Sequence, residues 1–472
     1  MKIAIRPAAI LLLTFAFCAT AFAQWSSDPS VNLALADNNN GSDQVQPKLV
    51  PLQNRGWYVS WFDANPATKS PVGYDVFYQR LGAGGEEKFH HDGQIVADLT
   101  NSSTEDYGLD KDTSGNALIA FLDTREGDNQ QVTAAKLSPG GKPLWGARGV
   151  QLTKDSSFHA DPKIVGTSDG SIVVGWTSES NVVLQKLNAA GEPQWGAGVT
   201  FSEGGSNYVL SDLHAADNGS VILSWVRGQG FGSNSQLRAN KVSASGAVLW
   251  GSGNVDIFDV GSLQFGNFPY FLYDGKGGAV FAWYTSVPTL QCFAQHILAN
   301  GAEAFPHNGS PASANTRNVR VEPAASYRAA TGEVFLFWTE EDSNQVVNGI
   351  YGQNFDPTGA PKWGADGLVI VPLGADQQFF VQSVQIGNGA LTFWVDQKSF
   401  GSATIQAVRL DQSGATVCPQ FPVSSVASNK SRPVAAISSS GVAALAFEDD
   451  RIGNNGIYIQ NVNPDCSLGQ QK

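Results

Sequence analysis

Apolar residues in this chain come in short runs, rich in valine and isoleucine, closed by Gly, Asp, Asn or Ser. Residues 161–201 show the pattern: "DPKIVGT", the turn "SDGS", "IVVGWTS", "NVVLQKL", the turn "NAAGEPQ", then "WGAGVTF". Runs this short, bounded by turn-forming residues, predict β-strands joined by tight hairpins. Similar turns ("DTSGN", "ADNGS", "DGKGG", "AATGE") recur along the chain.

Two rulers give the recurrence a period. The first is an aromatic residue closing an apolar run, often with an acid two residues on. Its copies stand at Trp61, Phe121, Trp176, Trp225, Trp283, Trp338, Trp394 and Phe447, a period near 55. The second is Gly-x-x-x-aromatic: Gly85 with Phe89, Gly141 with Trp145, Gly191 with Trp195, Gly246 with Trp250, Gly301 with Phe305, and Gly359 with Trp363. Gly414 with Cys418 keeps the spacing and loses the aromatic ring. Five residues before each of these glycines stands a polar residue: Arg80, Lys136, Lys186, Lys241, His296, Asn354 and Arg409.

Four strands per unit predict one four-stranded antiparallel sheet per repeat. Eight such sheets, none able to bury both faces alone, predict an all-β, eight-bladed β-propeller rather than an array of sandwiches. With strands lettered a to d from the axis outward, the first ruler closes strand b and the second spans the c–d turn. The eighth repeat stops after strand c and the turn "NPDCSLG", and lacks strand d. Residues 24–36 offer the missing piece: Trp25, then Val31, Leu33 and Leu35 in alternation. Residues 31–35 are expected beside 456–462, closing the ring by hydrogen bonding, with Trp25 in the aromatic position that the eighth repeat lacks. The expected organisation is a leader at 1–23 and one propeller domain at 24–472, its blades running from about residue 45 to residue 472.

The leader reading rests on Lys2 and Arg6, a short apolar run at 8–19 and the A-x-A site Ala21-Phe22-Ala23. It predicts export by a bacterial Sec-type route, to the periplasm, the cell envelope or the medium. The apolar run is too short to span a bilayer and no longer one follows, so no transmembrane helix is expected. The net charge of −13, with no long basic run, argues against a nucleic-acid partner. The abundance of Gly (51) and Trp (12) suits a many-turned β protein with large aromatic packing positions.

The G-x-x-x-W turns in "SPGGKPLWGARG" and "DPTGAPKWGADG" resemble the tryptophan-docking repeat of eight-bladed bacterial propellers of the quinoprotein type. Together, the two rulers look more like a repeat of exported bacterial propellers of undetermined role. In that repeat W-x-D-x-R-x-G precedes a strand, and FLDTREG at 121–127 and FEDDRIG at 447–453 fit it best. The resemblance implies a fold and leaves the activity open. Quinone-dependent oxidation is disfavoured because the Cys-Cys pair usual in those enzymes is missing, and no cofactor is expected.

Glycan chemistry is the enzymatic alternative, as a polysaccharide lyase or a glycosidase. No sialidase-type S-x-D-x-G-x-T-W box occurs, although Arg125, Arg227, Arg320, Arg432 and Arg451 are available. A lyase needs a His or Tyr base beside a charge neutraliser, and His159, Tyr208 and Arg320 are the right residue types. Residues that break the repeat just before strand a mark a ligand-binding mouth: Tyr107, His159, Tyr208, Phe268 with Tyr270, Arg320, Phe379 with Phe380, and Arg432. Residues that obey the repeat are read as scaffold. Asp123 with Arg125, and Asp449 with Arg451, are expected to fix b–c hairpins. Trp145, Trp195, Trp250 and Trp363 are expected to pack between blades. The oxygen-rich stretch "DNNNGSDQ" at 37–44 lacks the phasing of a calcium loop, so no metal is expected.

Cys418 opens strand d of blade 7 and Cys466 lies in the c–d turn of blade 8, which adjacent blades bring near each other, so a disulfide between them is expected after export. Cys292, in a strand-c pattern, is expected as a buried free thiol. The reading is a monomeric, non-enzymatic binding or scaffold module for a protein or a carbohydrate ligand.

Overall fold

A computed structural model describes residues 24–470, apart from 39–40, 54–55, 65–72, 100–104, 126, 128, 229–232 and 252. The leader at 1–23 lies outside the described residues. The described residues are all-β, with 56% strand and no α-helix, and form an eight-bladed propeller of antiparallel sheets. Blade 1 sets the pattern with Gln44–Pro51, Trp57–Ala64, Tyr74–Leu81 and Gln94–Ala97 as strands a to d, hydrogen-bonded in that order. Each blade follows its predecessor in sequence. The d–a and b–c connections therefore gather at one end of the ring, and the a–b and c–d turns at the other.

Blade 8 is built from both termini. Its inner strands are Lys430–Ile437, Ala443–Asp449 and Gly456–Val462, and its outer strand is Leu33–Ala36. Leu33 lies opposite Ile459 and Ala34 opposite Tyr458, as expected from the missing strand d. Leu35 and Ala36 are fully buried, and the Gln44 amide donates to the Asn455 carbonyl (2.8 Å) across the junction.

Both rulers have a packing origin. First-ruler residues Trp61, Trp225, Trp283, Trp338 and Trp394 are buried inside their blades. The second ruler joins one blade to the next. The indole N–H of Trp145 donates to the Ala189 carbonyl (3.0 Å), Trp195 to Ala244 (3.3 Å), Trp250 to Ala299 (3.0 Å) and Trp363 to Gln412 (3.1 Å). Each acceptor lies two residues before the ruler glycine of the following blade. Trp25 does the same from blade 8 to blade 1, donating to Ala83 at 3.0 Å. A Cβ at Gly85 would come within 2.9 Å of the Trp25 ring, and the backbone there has a φ of +86°, which glycine adopts without strain. The glycine is there because an aromatic ring covers it.

The polar residue five before the glycine serves the same joint. Lys186 pairs with Asp169 in its own a–b turn (2.8 Å) and donates to the Ala244 carbonyl of the next blade (2.9 Å). Arg80 reaches Pro139 (3.0 Å) and Asn354 reaches Gln412 (2.9 Å) in the same way. In blades 3 and 6 a glutamine one residue earlier clamps the dock. Gln185 accepts from the Trp195 amide and Gln353 from the Trp363 amide, at 3.0 and 2.8 Å.

Between blades 7 and 8 the aromatic position is Cys418, and here the joint is covalent. Cys418 is bonded to Cys466 in the blade 8 turn, the pair expected from the sequence, with their Cα atoms 6.5 Å apart. A disulfide thus stands where other blades use a docking ring. Cys292 is free and buried.

Blade 5 departs from the four-strand plan. Its first strand is split into Ser262–Leu263 and Phe271–Tyr273, both paired with Ala279–Val287. The intervening loop at 264–270 stands over the channel mouth.

Candidate functional site

First strands line the axis, and in five blades they are kinked at the d–a end. Gln46, Asp161, Glu322, Phe380 and Arg432 have φ between 45° and 56° at the positions where strand pairing shifts register. Non-glycine residues in the left-handed region carry strain of about 1 kcal/mol or more and concentrate where a fold must aim a side chain.

Around this level a charge cluster forms that no repeat predicts. The Lys48 ammonium of blade 1 lies 2.6 Å from Asp106, which leads into strand a of blade 2, and Lys163 of blade 3 contacts the other oxygen of the same carboxylate. The Tyr270 ring from the blade 5 loop sits 5.8 Å from both ammonium groups. Four blades thus meet at one point. Burial disfavours each charge, but Asp106, Tyr270 and Tyr107 outweigh it and hold the Lys48 ammonium above its ordinary pKa. Burial likewise opposes ionisation of Asp106, and the two lysines overcome it and keep the carboxyl low. Asp161 lacks that pairing, and burial pushes it up to about 6. Deeper in, His214 pairs with Asp212 (2.9 Å), whose carboxylate also accepts the Phe271 amide (3.0 Å). Opposite them, blades 6 and 7 present a neutral contact, Ser383 to Ser326 at 3.0 Å.

The residues expected at the mouth divide into two groups. Tyr107 is buried, its hydroxyl bonded to Ser60 (2.9 Å) and the Gln46 carbonyl (3.0 Å). His159 is buried against Asp155 (3.0 Å) and Tyr208 against Glu203 (3.1 Å). Arg320 is buried with both carboxylate oxygens of Glu340 at 3.0 Å. Arg432 reaches Glu448 (2.9 Å). Each of these groups holds its own partner, and among the described residues no hydrogen bond joins His159, Tyr208 and Arg320 to one another. Phe268 and Tyr270 are exposed, and Phe379 packs edge-on against Phe380 at 4.9 Å.

Arg125 and Arg451 each close back on the aspartate two residues earlier, Asp123 and Asp449, at 2.6 Å, and donate their own amides to it at 2.9 Å. Near the closing strand, Asp37, His91 and Asp92 approach within ligand distance of one another. Hydrogen bonds to Asp37 and Glu87 raise the His91 pKa to about 10, so the imidazolium donates to both carboxylates.

Lys48, Asp106, Lys163, Asp212 and His214 were missed in the sequence because no spacing links them. The available signal was the clustering of Phe265, Phe268 and Tyr270 in one short loop.

No family model matches this chain, and no curated protein does. Among solved structures, a Dyadobacter fermentans protein of unknown function is 10% identical with a TM-score of 0.42, covering 94% of this chain and 99% of its own. A polysaccharide lyase described as an ulvan lyase is 11% identical with a TM-score of 0.44, covering 91% and 95%. Prolyl oligopeptidase B from Galerina marginata is 11% identical with a TM-score of 0.44, covering 90% of this chain and 57% of that one. Likeness at this level carries neither a shared site nor a shared ligand.

Proposed function

We propose that this protein is an exported, non-enzymatic binding module that takes its ligand on the d–a and b–c face, over the channel mouth. One observation carries the reading. Among the described residues, the largely exposed aromatic side chains are Phe158, Phe265, Phe268, Tyr270 and Phe400, and all five lie on connections of that face. Phe265 and Phe400 are about as exposed as side chains can be, at 88% and 91%. Apolar rings gathered on one face of a water-soluble surface mark an interaction site. Aromatics of the opposite face are docked between blades, as Trp145 and Trp250 are.

Two further features agree. Groups of the type that acid–base catalysis uses, His159, Tyr208 and Arg320, are each committed to a separate carboxylate. The disulfide and the leader pattern are compatible with the periplasm or the extracellular space.

Glycan and peptide arrays probed with the wild type and with the F158S/F265S/F400S variant test the proposal. Binding that the variant loses, while its melting curve is unchanged, is the expected result. Release of unsaturated or reducing sugar ends from a polysaccharide panel overturns it, as does binding that ignores the three rings.

A further inference from the structure

The blade 5 loop supplies the apolar part of the mouth, and the charges beside it select what can cover it. Gln264 and Asn267 of this loop donate to the Tyr284 carbonyl, both at 3.3 Å, which anchors Phe265 and Phe268 beside strand b of blade 5. The Tyr284 ring packs against the core cluster that blades 5 and 6 share, which holds Trp338; burial raises the pKa of its hydroxyl, and Glu322 and Glu341 of blade 6 act on it in the same direction.

Among the described residues neither carboxylate meets a cation. Glu322, at the strand-a kink of blade 6, accepts the Phe380 amide (2.7 Å), and Glu341 accepts the Gln345 amide group (2.7 Å). Among the described residues neither forms a salt bridge, and the nearby Arg320 is already held by Glu340. Burial pushes the Glu322 carboxyl up, more than the Phe380 amide lowers it, and Glu341 adds like-charge repulsion. Blades 1 to 3 differ, because there Lys48 and Lys163 share Asp106 with Asp161 beside them. The blade 6 side thus presents two carboxylates without a cation among the described residues, one of them hydrogen-bonded to the Phe379–Phe380 pair of blade 7. Carboxylates flanked by aromatic rings complement a guanidinium or ammonium group on an apolar stem.

Resting on the binding reading above, we infer that this part of the mouth receives a basic peptide segment of a partner protein. A lysine or arginine head lies between Glu322 and Glu341, and apolar neighbours in the peptide cover Phe265 and Phe268. Charge complementarity selects this occupant over an acidic or neutral one.

The test uses fluorescence anisotropy with the full chain and a labelled decapeptide alternating arginine and leucine. A second peptide carries citrulline in place of arginine. The arginine peptide is expected to bind at least about tenfold more tightly, since a desolvated charge pair is worth about one such factor or more. E322Q/E341Q should remove that advantage, whereas E86Q/E192Q, the same charge change on the opposite face, should leave it intact. Melting curves of both variants check folding. Equal binding of the two peptides, or an advantage that survives E322Q/E341Q, overturns the inference. If neither peptide binds but an array saccharide does so through Phe265, the peptide class falls and the binding reading stands. If nothing depends on the exposed rings, both fall.

Discussion

Replacing Trp25 by alanine tests whether a ring closed by hydrogen bonds depends on one docked side chain. The Trp25 ring is 5% exposed, covers Gly85 and donates its indole N–H to Ala83. Emptying such a site costs about 3–5 kcal/mol, the range for buried large aromatics. Domains of ordinary stability hold about 5–15 kcal/mol in total, so the loss is a large fraction of the whole. Trp25→Phe keeps most of the ring and loses the hydrogen bond, which should cost about 1 kcal/mol plus a smaller packing term. Urea unfolding followed by far-UV circular dichroism should place the midpoints in the order wild type, Trp25→Phe, Trp25→Ala. Trp145→Ala removes an internal dock of the same construction and serves as the reference. Limited proteolysis should then cut Trp25→Ala within residues 24–36 before it cuts Trp145→Ala there, because only the first loosens the closing strand. A Trp25→Ala midpoint equal to that of the wild type refutes the closure argument.

Three other outcomes follow from the same contacts. Cys418→Ala/Cys466→Ala opens a bridge spanning 48 residues, which should lower stability by about 4 kcal/mol on loop entropy, read as a urea midpoint that reductant shifts in the wild type but not in the variant. Asp106→Asn leaves Lys48 and Lys163 without their shared anion and should cost about 3–5 kcal/mol, whereas Asp106→Asn/Lys48→Met/Lys163→Met should recover most of it in thermal melts. His91 has a folded pKa of about 10, raised by hydrogen bonds to Asp37 and Glu87 from an ordinary value near 6.5. Its contribution is present in full below about pH 6.5 and fades as the pH rises through 10. The imidazole is half exposed, so screening keeps the effect within about 1 kcal/mol, and His91→Gln should flatten melting temperature against pH across that window.

The amino-acid order alone determined the number of blades, the closure by residues 24–36 and the Cys418–Cys466 bridge. All three depend on contacts between neighbouring repeats. A dock that joins each blade to the next must recur at the repeat spacing, so Gly85 and Trp25, or Gly191 and Trp145, announce themselves by position. Gln185 and Gln353 stand at the same place in their repeats, one residue before the polar position, but their partners are backbone amides, so no matching residue type marks them in the sequence.

The mouth is different. Lys48, Asp106, Lys163 and Tyr270 come from four blades and meet only because the ring closes around an axis, so no spacing along the chain encodes them. Nor does alternation say which way a residue before strand a points. At Gln46, Asp161 and Glu322 a kink with positive φ resets the alternation that a regular strand would impose. Tyr107, His159 and Arg320 turn into buried hydrogen bonds, while Phe265, Phe268 and Tyr270 ride an inserted loop into solvent. Contacts between adjacent repeats were written in the sequence as a period. Contacts across the axis, and the exposure of the rings above it, were decided by the tertiary structure.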